Sequence, residues 1–186
     1  MSTPEQETQP EQQALQHSSP IDRNRSDINN RYLCFTLGEE DFAVPLLSVK
    51  EVIALPDITP VPQTPPHFLG IMNLRGQVIS IMDLRAKLSI KPLESPETAV
   101  IICDLKPNSI GVVVDSINSV VNPAPDQISD KPDMQGHKNS DYIQGIYREK
   151  ERLILLLDIS KTLSSGDKQA ISKATAPPAQ QGAKAA

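Results

Sequence analysis

The stretch GIMNLRGQVISIMDL, Gly70–Leu84, decides how the rest of the chain is read. Two apolar runs flank Asn73, Leu74, Arg75 and Gly76. Asn and Gly form turns and the flanking residues form strands, so a β-hairpin with an arginine at its tip is expected. The pattern returns. Offset by 75 residues, GIMNLRGQVISIMDLRAKL falls on GIYREKERLILLLDISKTL: Gly70 meets Gly145, Ile79 meets Ile154, Asp83 meets Asp158 and Leu88 meets Leu163. Offset by 68, FAVPLLSVKEVI (42–53) falls on IGVVVDSINSVV (110–121), with Val44 on Val112, Val49 on Ile117 and Val52 on Val120. Two similarities in the same chain order imply two copies of one five-strand unit.

Short apolar runs broken by Gly, Pro, Asn and Asp place strands at 32–38, 41–45, 50–55, 68–74, 77–82, 99–105, 109–115, 117–122, 142–147 and 152–157. They are too short and too β-branched for helices. Only DLRAKL (83–88) and DISKTL (158–163) read as helical, each opened by an Asp in N-cap position. Five short strands in a flat sheet would leave two bare edges, and curling each copy into a small barrel removes them. The expected fold is mainly β: two pseudo-equivalent five-stranded β-barrels (SH3-like or OB-like), about 31–90 and 91–164, with short helices and disordered tails. The Pro-rich run 55–66 reads as an extended edge or loop, since Pro cannot donate to a ladder. Its counterpart, 122–141, reads as a long polar loop.

Residues 1–30 are rich in Gln, Pro, Ser and Glu, and 165–186 in Ala, Lys, Gln and Ser. Neither segment can bury enough apolar surface to offset chain entropy, so both are expected to be disordered tails. All six aromatics (Tyr32, Phe35, Phe42, Phe68, Tyr142 and Tyr147) lie between 31 and 164. Cys34 and Cys103 each sit in an apolar run and read as reduced core residues. The polar start shows no signal-peptide pattern, and the apolar run 153–157 is far short of the roughly 20 residues of a spanning helix. A cytoplasmic location is expected.

Catalytic signatures are missing from the sequence. His17, His67 and His137 share no ligand spacing, and there is no CxxC, so no metal site is expected. There is no GxSxG, GxGxxG or GxxxxGK[ST], and no cofactor is expected. Asp83 and Asp158 read as helix caps, and Asp115 as a strand-to-turn residue. Residues 31–164 carry 13 Lys/Arg against 17 Asp/Glu. Phosphate binding wants a basic surface, and single-strand binding wants exposed aromatics; with no Trp, this charge balance argues against nucleic acid. A small-barrel nucleic-acid or carbohydrate binder is the rival of another class. The chemistry that remains is protein binding.

FTLGEEDFAVPLLSVKEVI, PHFLGIMNLRGQVISIMDLR, IGVVVDSINSVV and YIQGIYREKERLILLLDISKTL resemble, in order and spacing, the chemotaxis coupling (CheW-like) family over about 32–164. The resemblance implies two five-stranded barrels and a non-enzymatic adaptor. Its partners would be the helical cytoplasmic tips of chemoreceptors, the regulatory domain of a CheA-like histidine kinase, and other copies of the coupling protein. Membrane association would be indirect, through receptors. An adaptor of a pilus-motility or other non-flagellar pathway is the alternative within the family. Carried over residue by residue, the kinase-facing patch is Val49, Glu51 and Gly70. The receptor-facing cleft between barrels is Arg75, Val100, Ile117 and Val120. A groove lined by Val and Ile suits a helix. Each apolar residue would equally fit a core position, so solvent exposure decides between the two.

The matching tip of the second copy, Arg148-Glu149-Lys150-Glu151, is simply charged, whereas the first carries Asn73-Leu74-Arg75-Gly76. That difference suggests that geometry matters at the first tip, and the expectation is that Arg75 pairs with Glu51.

Overall fold

The computed structural model describes residues 30–93, 96–130 and 141–175. The tail expectations for 1–29 and 176–186, and residues 131–140 of the polar loop, lie outside them. The strands are β1 (Tyr32–Leu37), β2 (Glu40–Pro45), β3 (Val49–Ala54), β4 (Phe68–Leu74), β5 (Gln77–Asp83), β6 (Ala99–Asp104), β7 (Ser109–Val114), β8 (Ser116–Val121), β9 (Ile128–Ser129), β10 (Ile143–Glu149) and β11 (Arg152–Leu157). Three helices accompany them: α1 (Leu84–Leu88), α2 (Ile159–Thr162) and α3 (Ser165–Thr175). Ten of these strands are the expected ones within a residue or two; β9 and α3 are additional.

The strands form two sheets, ordered β3-β6-β7-β5-β4 and β8-β1-β2-β11-β10-β9. The duplication is visible in this order. If the first copy supplies β1 to β5 and the second β6, β7, β8, β10 and β11, both sheets have the same order of equivalent strands. Each sheet, however, takes its two central antiparallel strands from the other copy. The parallel pairs β5–β7 and β2–β11 are the seams of that exchange. The expected split into 31–90 and 91–164 is therefore corrected: each sheet draws on both segments. The cause is connection length. Only Asp115 separates β7 from β8, and a single 3₁₀ turn, Leu46–Ser48, separates β2 from β3. A hairpin reversal needs at least two residues free to turn, so β8 cannot fold back on β7 and crosses to pair with β1.

The sheets are strongly curled. In the first, the chain leaves the edge strand β3 at Ala54 and by Thr59 is bridged to Ile71 on the opposite edge strand, β4. Laid flat at about 4.8 Å per strand, those positions would lie roughly 24 Å apart. A linker from 54 to 59 reaches at most about 18 Å, so the sheet must bend toward a barrel. This Pro-rich segment, expected as an extended edge or loop, is a loop that touches the sheet edge through the single Thr59 bridge. Gly70 permits the crossing: its φ is +144°, and a Cβ there would collide with the Thr59 carbonyl. Gly145 holds the equivalent place under Ser129 of β9.

Three cores result. The largest joins the two sheets, with Leu33, Phe35, Leu37, Phe42 and Val44 meeting Met82, Ile101, Ile110, Val112 and Val114. The interior of the first curled sheet holds Met72, Ile79, Ile81, Val100, Ile102 and Val113. That of the second holds Cys34, Ala43, Tyr147, Ile154 and Leu156. Central strands are buried on both faces, which is why β6 and β7 read as unbroken apolar runs. Each fully buried side chain of this size stabilises by about 1.5–3 kcal/mol. Both cysteines are free and buried; burial pushes Cys34 up to about 11 and Cys103 to about 12, so both stay thiols.

Asp83 caps α1 by accepting from the N–H groups of Arg85 and Ala86, and Asp158 caps α2 through Ser160 N–H, as expected. The expected disorder of residues 165–175 is overturned. They form α3, which buries Asp167 and Ile171. Among the described residues, no helix is long and apolar enough to cross a membrane.

Candidate functional site

β3 and β8 are equivalent strands of the two copies, and each is the edge of its sheet. They are anchored alike. Lys50 Nζ donates to Ser109 Oγ at 2.7 Å and lies 3.5 Å from Asp104, on the β6–β7 hairpin of the other copy. Offset by 68, Asn118 Nδ2 donates to Thr36 and Asp41 on the β1–β2 hairpin, both at 3.0 Å. Their outward faces differ. β3 exposes Lys50 and Val52 with Glu51 half-buried between them, whereas β8 exposes Asn118, Ser119 and Val120. One edge carries Lys50 and Glu51 and the other has no charged residue, while each exposes one valine, so the two equivalent edges differ chemically on a symmetric frame.

Arg75 and Glu51 meet as expected. Arg75 Nη1 donates to Glu51 Oε1 at 3.1 Å and Nη2 to Oε2 at 2.9 Å, a two-point pairing of guanidinium and carboxylate. The tip reaches this position because Arg75 (φ +50°) and Gly76 (φ +87°) both have positive φ, as in a type I′ turn. Asn73 Oδ1 accepts from Gly76 N–H at 2.8 Å and locks the turn. Glu51 lies on the edge strand β3 and Arg75 at the tip of the hairpin that forms the opposite edge. The pair therefore clasps the seam of the curled sheet from outside. Arg75 is 78 % exposed, so the clasp sits on the surface.

The other expected site residues separate by exposure. Val120 is 51 % exposed, a surface residue on β8. Val49 and Ile117 are half-buried against the core between the sheets. Val100 is 0 % exposed, inside the first curled sheet, so its expected place in a receptor-facing cleft is corrected to a core position. Gly70, expected in a kinase-facing patch, is buried beneath Thr59, where the missing side chain lets the chain pass over it. Leu74 is half-buried at the turn.

A buried ionic chain, unread in the sequence, ties the halves together. Arg85 Nε and Nη2 donate to Asp83 at 2.9 and 2.8 Å, and Nη1 donates to Asp115 at 2.6 Å. Asp115 also accepts from Gly38 N–H at 2.7 Å. Gly38 belongs to the β1–β2 turn of the second sheet, so the chain bridges the sheets. Burial raises the Asp83 pKa, but the Arg85 hydrogen bonds outweigh it and hold the carboxyl below its usual range. The DLR signal at 83–85 and the Asp closing Gly-Val-Val-Val-Asp were visible in the sequence; their meeting was not. Among the described residues no group of His, Cys, Asp and Glu could hold a metal ion.

The comparisons agree with this geometry. A family model, the CheW-like domain, matches residues 31–167. The chain is 32 % identical over 139 residues to the chemotaxis protein CheW of Klebsiella aerogenes, covering 74 % of this chain and 84 % of that one. It is 27 % identical over 146 residues to Protein FrzA of Myxococcus xanthus, covering 76 % and 90 %. The crystal structure of the scaffolding protein TtCheW from Thermoanaerobacter tengcongensis superposes with a TM-score of 0.67 at 23 % identity, over 75 % of this chain and 95 % of that one, and shows the same fold. Two curled sheets, an exchanged repeat and a family match over residues 31–167 lead to one conclusion: the chain belongs to the CheW-like family of chemotaxis coupling adaptors.

Proposed function

We propose that the chain is a non-enzymatic adaptor that couples the helical cytoplasmic tips of chemoreceptors to the regulatory domain of a CheA-like histidine kinase. It works in the cytoplasm and is recruited to receptor arrays at the inner membrane. The observation that carries this reading is the pair of equivalent edge strands with unlike outer faces. The β3 edge, with Val49, Glu51 and the Arg75 clasp, is the kinase-facing side. The β8 edge, with Ile117 and Val120, is the receptor-facing side. Arg75, assigned to the receptor side by resemblance, lies with Glu51 and is placed here as the link that orients the kinase-facing edge.

Exposed apolar side chains beside polar ones are what a helical or barrel partner would cover. The test is co-sedimentation of the purified chain with receptor-containing membranes, with and without the kinase, reading kinase activity. The chain should sediment, carry the kinase with it and raise receptor-dependent activity. Failure of the kinase to follow the chain would defeat the reading. The match to Protein FrzA, which covers as much of this chain as the chemotaxis relatives do, supports the second reading, an adaptor of a pilus-motility or other non-flagellar pathway using the same two edges.

A further inference from the structure

Helix α3 has little of its own to hold it. Its sequence, SGDKQAISKAT, buries only Asp167 and Ile171. An isolated helix of this length is not stable in water, so the docking contacts must account for it. Asp167 is 1 % exposed, and two of its three donors come from far along the chain. His67 Nε2 donates to Oδ1 at 2.7 Å, Lys87 Nζ donates to Oδ2 at 2.5 Å, and Ser164 N–H donates to Oδ2 at 2.8 Å. His67 immediately precedes β4, and Lys87 lies on α1, immediately after β5. The main chain already closes the hairpin base there, since Asp83 N–H donates to the His67 carbonyl at 2.8 Å. A single carboxylate from the C-terminal helix thus grips both ends of the hairpin whose tip carries Arg75. Among the described residues the second copy shows no such grip: Tyr142 and Thr162 stand at the positions equivalent to His67 and Lys87.

We propose that Asp167 is a positioning residue: α3 staples the two ends of the β4–β5 hairpin and so sets the Arg75 tip against Glu51. The bearing of this on partner binding rests on the kinase-facing reading above. The staple explains why a weakly apolar helix is ordered, and it makes the C-terminal helix part of the coupling unit.

Hydrogen exchange on the full chain tests the staple without any partner. Asp167→Asn should speed exchange of β4 and β5 amides by about ten-fold or more, the loss of a charge-assisted buried bond. The β10–β11 amides should change by less than about two-fold. Lys87→Met keeps the aliphatic stem and removes only the ammonium, so it supplies a second, milder variant. In the double variant the effect should be no larger than in Asp167→Asn alone. Equal acceleration of both hairpins, or additive effects of the two substitutions, overturns the staple. Binding of the kinase regulatory domain to the Asp167→Asn chain should weaken several-fold. Unchanged binding with a loosened hairpin overturns the positioning role. If the wild-type chain itself does not bind that domain, the kinase-facing reading fails, and exchange alone decides the staple.

Discussion

Removing the guanidinium of Arg85 should destabilise the protein far more than neutralising either carboxylate it holds. The perturbation is Arg85→Met, compared with Asp115→Asn. Arg85 lies between Asp83 and Asp115, and all three side chains are largely buried. Arg85→Met leaves two carboxylates facing each other, with Asp115 keeping only Gly38 N–H and Asp83 only the cap N–H groups. An uncompensated buried charge costs about 3–5 kcal/mol. Asp115→Asn keeps an acceptor for Gly38 and leaves Arg85 paired with Asp83, so the cost is about 1–2 kcal/mol. Urea denaturation followed by far-UV circular dichroism measures both, and Arg85→Met should lower Tm by about 10 °C. The pH dependence has a definite sign. In the wild type Asp83 is held below its usual range, so its contribution is present above that range and fades as pH falls. In Arg85→Met the Asp83 carboxylate loses the hydrogen bonds that hold its pKa down and takes up a proton more easily, so the deficit relative to wild type should shrink toward pH 4. Equal costs for the two variants, or a deficit that grows in acid, would refute the reasoning.

Other outcomes follow from the same geometry. Glu51→Arg and Arg75→Glu should each weaken kinase-domain binding, and the double charge swap should partly restore it in a pull-down. Stability should move by no more than about 1 kcal/mol because the pair is exposed; a double variant no better than either single one means that the residues are uncoupled. Gly70→Ala should cost about 1–3 kcal/mol in the same denaturation assay, from positive φ and the collision with Thr59. Burial raises the Asp167 pKa, but hydrogen bonds from Lys87, Ser164 and His67 outweigh it and hold the carboxyl at about 2. Its contribution is therefore full above the unfolded carboxylate range near about 4 and lost as pH falls toward 2. The acid limb of the wild-type stability curve should be steeper than that of Asp167→Asn.

The strands were legible because short apolar runs between turn residues have few other ways to fold. The hairpin exchange was not, because equivalent strands of a repeat are alike in sequence; only the one-residue link at Asp115 carries the signal. Helix α3 was hidden for a different reason. It offers a single buried aliphatic residue, Ile171, and two of the three donors to its anchoring carboxylate lie 100 and 80 residues away. Val100 was misplaced because a strand buried on both faces gives no hint of which side chains face a groove. The Glu51–Arg75 pair was readable because the two hairpin tips differ in kind, and a special turn at one of them implied a contact.

The central claim is that the two equivalent edges serve different partners. It is tested by comparing Glu51→Arg with Val120→Asp in co-sedimentation with receptor membranes and in solution binding to the kinase regulatory domain. Glu51→Arg should still sediment with receptors but fail to bind the kinase domain, and Val120→Asp should do the reverse, with both variants unfolding like wild type. Loss of the same partner by both variants, or of neither, would contradict the account.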